Sequence, residues 1–399
     1  MKFPLLDLKA QYEEIQKEIE TRVLEIFRSQ AFILGPEVEA LEKELAAYIG
    51  TMEAVGVSSG SDALVIALMA LDLKAGDRVI TSPFTFFATG GAVARLGAKP
   101  VFCDIDPVTY NLDPGKLGML LETESGKKEK GKIRGIIPVH LYGQCVDMKP
   151  VIELANDFGL FVLEDSAQAV GSEYPMPSGR KKAGSLGTAG ILSFYPSKNL
   201  GACGDAGMVL TGDAELAERL RLLRVHGSGN KYYYDILGGN FRMDALQAAV
   251  LRVKLGYLDS WEKRRQEKAA FYDLLFDESG LAGEGLLKRP EAVYKKAGLE
   301  HFHTYHQYVI RAASRDRLRS HLKQQGIPTA VFYPLPLHLQ KCFSDLGYKE
   351  GDFPEAEKAA KEVLALPIYP ELKTENQEWV VKEIQKFYAS CSETLNHCG

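Results

Sequence analysis

Three short stretches of this chain carry residue types that can do chemistry, and they occur in a telling order. The most distinctive is Ser193-Phe194-Tyr195-Pro196-Ser197-Lys198-Asn199-Leu200-Gly201, followed by Gly204 and Gly207. It sets one lysine between an apolar run (189–194) and a glycine-rich loop. An amine there is partly desolvated and made nucleophilic. Pro196 stiffens the approach, and the glycines let backbone or cofactor come close. A solvated loop lysine is the ordinary alternative. Upstream, the apolar run 160–163 ends in Glu164-Asp165-Ser166-Ala167-Gln168. In open α/β sheets ligands bind beyond the carboxyl ends of strands, so a carboxylate there is well placed. Strand alternation sends Glu164 and Asp165 to opposite faces, so one of them serves a given site; a helix cap at Asp165 or Ser166 fits the same residues. The third stretch, Val57-Ser58-Ser59-Gly60-Ser61-Asp62, precedes an apolar helix over 63–71. Serine and glycine at a helix start present N–H groups and the positive dipole end to an anion such as phosphate, although they also read as a simple cap. No Gly-Lys-Ser/Thr ending follows, and no Gly-x-Gly-x-x-Gly follows the first strand. A nucleotide-hydrolase phosphate loop and a nicotinamide fingerprint are therefore excluded.

The elements that position these residues alternate. Strands are predicted over 78–83, 99–104, 135–140, 160–164, 189–194 and 207–211, with helices over 62–71, 151–158 and 213–223 between them. That pattern is α/β, a mostly parallel sheet covered by helices on both faces. After Asn240 one long helix is predicted, with Leu246, Ala249, Val250, Val253 and Tyr257 on a single face. The switch to a smaller C-terminal domain falls within or just beyond it, giving a large domain over 1–250 and a small one over 251–399. The small domain is expected to hold a strand near 306–310 and helices near 316–325, from 356 and from 376. The charged stretch 122–134 reads as a solvated loop.

At 399 residues the chain exceeds a single core. A net charge of −5 and a pI near 6.0 leave no electrostatic footprint for nucleic acid. The longest apolar runs are too short to span a bilayer, and the first residues meet a charge too early for a signal peptide. Cysteines 103, 145, 203, 342, 391 and 398 form no Cys-x-x-Cys pair and read as free cytosolic thiols. His301-x-His303-x-x-His306 has a metal-site look. On a strand, however, His306 points away from the other two, so no metal is expected.

A phosphate-binding helix start, a strand-end carboxylate and a downstream lysine together match what pyridoxal phosphate needs: an anion cradle, a pyridinium partner and a Schiff-base amine. At these residues the chain resembles the DegT/DnrJ/EryC1/StrS sugar aminotransferases of the aspartate-aminotransferase fold. The specific stretches are 164–168, 193–207, Gly239-Asn240-Phe241-Arg242-Met243-Asp244 and 328–338. The resemblance implies a large domain with a mostly parallel seven-stranded sheet between helices, plus a smaller α+β domain. It makes Lys198 the Schiff-base and proton-shuttling lysine, Asp165 the partner of the pyridine nitrogen, and Gln168 the partner of the phenolic oxygen. Phe86 would stack on the ring, with Phe84 and Phe87 as the alternatives. Gly60, Ser61 and Ser193 would hold the phosphate, with Asn240 reaching it from the neighbouring subunit of a homodimer that shares two sites. Arg242, Tyr333 and His338 would meet substrate.

Family members acting at sugar carbon 4 carry His-x-x-Lys followed by Thr-Thr-Gly-Glu, and a dehydratase branch replaces the lysine by histidine. Here the chain reads Tyr195-Pro196-Ser197-Lys198 and His140-Leu141-Tyr142-Gly143-Gln144, which resembles the branch acting at carbon 3. The implied reaction moves an amino group from L-glutamate to a nucleotide-linked 3-keto sugar, foremost a UDP-2-acetamido-3-keto-hexose, for a surface polysaccharide or lipopolysaccharide. The alternatives are a 4-keto sugar, a dTDP-3-keto-6-deoxyhexose or a 3-keto-hexuronic acid. A cytoplasmic enzyme without nucleic-acid or membrane partners is expected.

Overall fold

The computed structural model describes residues 3–125, 131–230, 232–281 and 285–396. Its strands are β1 (Glu53–Val57), β2 (Arg78–Thr81), β3 (Lys99–Phe102), β4 (Ile133–Ile137), β5 (Phe161–Asp165), β6 (Glu173–Met176), β7 (Gly179–Lys182), β8 (Ala189–Ser193), β9 (Gly207–Thr211), β10 (Leu287–Lys288), β11 (Tyr308–Ala312) and β12 (Val363–Leu366). Seven of them form one sheet in the order β1-β9-β8-β5-β4-β2-β3. Only β9 runs antiparallel to its neighbours. Both faces are covered. On one, Val55, Leu163, Ile191 and Val209 pack against the helix Gly60–Ala70; on the other, Leu192, Met208 and Leu210 meet the helices Pro36–Ile49 and Ala245–Leu255. Burial on both sides is why the inner strands read as continuous apolar runs.

A second, antiparallel sheet, β10-β11-β12, is built around Tyr308, Ile310, Leu364 and Leu366. The helix Leu258–Ser279 serves both cores. Its start (Leu258, Trp261) packs with the large sheet's outer helices, and its later turns (Ala269, Tyr272, Phe276) pack on the small sheet.

Several expectations are corrected. The single helix after Asn240 is two, Ala245–Leu255 and Leu258–Ser279, interrupted at Gly256-Tyr257. Edge strand β1 and the hairpin β6–β7 carried no recognisable pattern: β1 is five residues long with a glycine inside, and the hairpin holds Pro175 and three successive cations. Part of the stretch read as a solvated loop is ordered. Glu122 and Glu124 lie in the helix Pro114–Ser125, the buried Glu124 pairs with Arg78, and β4 begins at Ile133, while 126–130 lie outside the described residues. Cys103, Cys145, Cys203 and Cys342 are unpaired thiols; Cys398 and the side chain of Cys391 lie outside the described residues. No helix among the described residues is long and apolar enough to cross a membrane.

Candidate active site

The carboxyl ends of β5 and β8 and the amino end of β9 meet the start of the helix Gly60–Ala70 at one edge of the large sheet. Asp165 closes β5 and is 5% exposed. Thr89 donates to its Oδ2 at 2.8 Å and the Ala167 N–H to its Oδ1 at 3.2 Å. Burial pushes its carboxyl upward in pKa, opposed by these bonds and by the charge of Lys198. Glu164 faces the opposite way. It accepts from Gly184, Leu186 and Gly187 N–H groups and pairs with buried His140 at 2.8 Å, a structural clamp on the far face. The alternation argument therefore separates the two carboxylates as expected.

Lys198 follows β8. Loss of hydration lowers its pKa to about 8, and only the nearby Asp165 carboxylate works against that. Beside it, Gln168 accepts from the Tyr142 N–H at 2.9 Å and donates to the Tyr333 hydroxyl at 3.0 Å. Burial keeps that phenol protonated. Of the three phenylalanines, Phe84 is 1% exposed and packed on Tyr110, and Phe87 lies against Phe343. Phe86 is 54% exposed, with its ring 6.2 Å from that of Tyr333.

These residues suit pyridoxal phosphate. Ser59 caps the helix by accepting from the Asp62 N–H at 3.0 Å, while the N–H groups of Gly60 and Ser61 make no hydrogen bond among the described residues. The backbone around them is close-set: a Cβ on Gly60 would lie 2.5 Å from Cβ of Ser193, and one on Gly207 would lie 2.4 Å from the carbonyl carbon of Ser59. Helix N–H groups, the dipole end and the Ser193 hydroxyl form an anion cradle. The buried Asp165 closes β5 at the same edge, and a lysine of lowered basicity stands beside it.

The remaining predicted residues have the following surroundings. Arg242 runs beside Val57 in an isolated bridge, partly buried, its Nε without a hydrogen-bond partner among the described residues. Asn240 is exposed on the same segment. His338 is 1% exposed, its Nε2 sits 3.0 Å from Glu357, its ring packs edge-on against Phe353, and its Nδ1 has no hydrogen-bond partner among the described residues. The three histidines 301, 303 and 306 precede β11 rather than lying on a strand, and each has its own partner: Glu262, the Tyr305 N–H and Asn199. Asp259, Glu262 and His301 do cluster, yet the imidazole stands between the two carboxylates, 3.1 Å from one and 3.5 Å from the other. Sequence reasoning missed Thr89, Asn199 and Thr304. Thr89 was findable, since it lies three residues after Phe86 on the helical face that follows.

A doubly covered α/β sheet with a carboxylate, a lysine and a phosphate cradle at one strand edge defines a pyridoxal-phosphate enzyme of the aspartate-aminotransferase type. The chain belongs to the DegT/DnrJ/EryC1/StrS aminotransferase family, whose model matches residues 13–385. It is a pyridoxal-phosphate-dependent aminotransferase. A Geobacillus stearothermophilus protein named as a pleiotropic regulatory protein is 51% identical over 97% of this chain and 99% of its own length. A dTDP-3-amino-3,4,6-trideoxy-alpha-D-glucose transaminase of Streptomyces venezuelae is 42% identical, covering 96% of both chains. A UDP-N-acetyl-3-dehydro-alpha-D-glucosamine 3-aminotransferase of Acidithiobacillus ferrooxidans is 41% identical over 93% and 94%. Among solved structures, S. venezuelae DesV in complex with a ketimine intermediate superposes with a TM-score of 0.87 at 41% identity, covering 96% of this chain and 98% of that one.

Proposed function

We propose that this aminotransferase moves an amino group from L-glutamate to carbon 3 of a nucleotide-linked keto sugar, foremost a UDP-2-acetamido-3-keto-hexose, in the cytoplasm and for a surface glycan. The observation that carries it is the pairing of a poorly basic Lys198 with buried Asp165 at the edge where Phe86, Gln168 and Tyr333 converge. Both named nucleotide-sugar relatives carry the 3-amino or 3-dehydro description.

Bound pyridoxal phosphate supplies a carbonyl that condenses with amines and a ring that accepts the electron pair left by a departing proton. In this reading Gly60, Ser61 and Ser193 hold the phosphate. Burial raises the Asp165 pKa; Thr89, the Ala167 N–H and a facing positive charge oppose that rise, and the Asp165 carboxylate would partner the pyridine nitrogen. Gln168, fixed by Tyr142 and Tyr333, would offer a polar group to the cofactor, and Phe86 would stack on its ring. Lys198 takes a proton from the substrate carbon and returns it on the other side of the transfer, work suited to an amine whose pKa lies near neutrality. Arg242 is a cation for an anionic part of donor or nucleotide.

A homodimer completes the proposal, with Asn240 reaching the partner's phosphate. Its support is an apolar surface on the segment leading to Asn240, where Tyr233 and the 92%-exposed Leu237 have no cover in one chain. A surface of that kind marks an interaction site.

The test runs the reaction backward. Offered UDP- and dTDP-linked 3-amino and 4-amino sugars with 2-oxoglutarate, the enzyme is expected to form glutamate from 3-amino sugars. Turnover confined to 4-amino sugars overturns the carbon-3 assignment. Borohydride reduction of the holoenzyme followed by peptide mapping is expected to mark Lys198, and marking another lysine removes the site as drawn.

A further inference from the structure

The segment 303–307, which leads into β11, touches both halves of the site. Asn199 follows Lys198 and is buried, and its amide has one consistent orientation. Nδ2 donates to the Thr304 carbonyl at 2.9 Å, which leaves Oδ1 facing Nδ1 of His306 at 3.2 Å. An amide oxygen only accepts, so Nδ1 of His306 carries the hydrogen. Burial and the positive charges of Lys198 and Arg265 push its pKa well below the usual imidazole range, which favours the neutral ring. The pairing with Asn199 thus makes Nδ1 the donor.

The same segment holds the other side of the site. The Thr304 N–H donates to the Gly143 carbonyl at 2.8 Å and the Gln307 N–H to that of Tyr142 at 3.3 Å. The Tyr142 N–H in turn fixes Gln168. That contact has no slack: Gly143 has φ of 108°, and a Cβ there would lie 2.5 Å from Oγ1 of Thr304.

We propose that His306 is a positioning residue for Lys198: its Nδ1–H locks Asn199, and through Asn199 the main chain of the lysine, to the strand that begins the small sheet. The imidazole takes no part in proton transfer. It transmits the placement of β11 to the amine. This rests on the reading of Lys198 as the cofactor lysine, and the test separates the two.

Four variants of the full chain decide it: His306→Leu, Asn199→Leu, the two combined, and His306→Asn, whose amide N–H occupies the place of Nδ1–H. Each is freed of cofactor and titrated with pyridoxal phosphate. The labelling of Lys198 by acetic anhydride is also followed against pH by mass spectrometry. Each leucine variant is expected to weaken cofactor binding about tenfold, the cost of leaving a buried polar group unpaired. If both act through one bond, the double variant is no weaker than the worse single within roughly twofold. The labelling midpoint moves up as water reaches the loosened loop, and His306→Asn restores both readouts. Multiplying losses in the double variant, an unmoved midpoint in folded His306→Leu, or absence of rescue by asparagine overturns the proposal. Should the leucine variants not fold, His306→Gln replaces them. Its amide reaches the Nε2 position instead, so it is expected to fail where asparagine succeeds, and equal behaviour of the two overturns the proposal. Failure of the lysine reading itself would appear separately, as borohydride marking of a different residue.

Discussion

Removing the charge of Asp165 in the apoprotein should make Lys198 more reactive even as it cripples the enzyme. The lysine's pKa of about 8 is set by loss of hydration, and the Asp165 carboxylate is the only influence raising it. With a pKa near 8 the amine is about one-quarter neutral at pH 7.5, against about one part in a thousand for an ordinary lysine near 10.5, a roughly 200-fold gain in nucleophile. Competitive acetylation of apoprotein with trace acetic anhydride, read peptide by peptide across pH 6 to 11, measures this directly. Lys198 is expected to titrate about 2 units below the surface lysines, which serve as internal references. In Asp165→Asn the raising influence is gone, so the midpoint moves down rather than up. Turnover nevertheless collapses, because an unpaired pyridine nitrogen is a poor electron sink. A wild-type midpoint at or above 10, or an upward move in Asp165→Asn, refutes the picture of a desolvated lysine facing this carboxylate.

Gly60→Ala places a methyl 2.5 Å from Cβ of Ser193, so cofactor affinity is expected to fall at least tenfold in a binding titration, with the fold retained by circular dichroism. Thr89→Val removes one of two hydrogen bonds to Asp165; kcat is expected to fall about tenfold while Thr89→Ser keeps most of it. Glu262 is fully buried and its pKa is raised to about 7 by loss of hydration. A raised carboxyl contributes its stability below the unfolded pKa near 4.5 and loses it as pH climbs through about 7. The apoprotein's Tm should accordingly drop between pH 5 and 8, and Glu262→Gln should flatten that drop.

Much of this site was legible because its chemistry lies at strand ends. Apolar β5 and β8 announce themselves by burial on both faces; alternation separates Glu164 from Asp165, and the family resemblance picks out Asp165 and Ser193 among the residues that close them. The glycines that let Ser59, Ser193 and Gly207 crowd together are visible as letters, whereas the contact they permit is visible only in space. The failures have physical causes as well. Hairpin β6–β7 is held by pairing between exposed charged strands, and charge carries no two-residue hydrophobic period. The break after Leu255 comes at Gly256-Tyr257, although the apolar face continues in period to Tyr257. Histidines are the least legible, since a buried imidazole and a ligand-facing one look identical in sequence. His338, expected to meet substrate, sits 3.0 Å from Glu357 through Nε2. His306 was dismissed with the metal question, and it is the imidazole that reaches the lysine loop. What separates them is long-range pairing: Asn199 and His306 lie 107 positions apart, and no local pattern encodes a bond of that span. The same distance explains how the site can be built on a rigid sheet and still feel the second sheet. Lys198 follows β8 on one side, and on the other its neighbour Asn199 is tied to the β11 segment through Thr304 and His306.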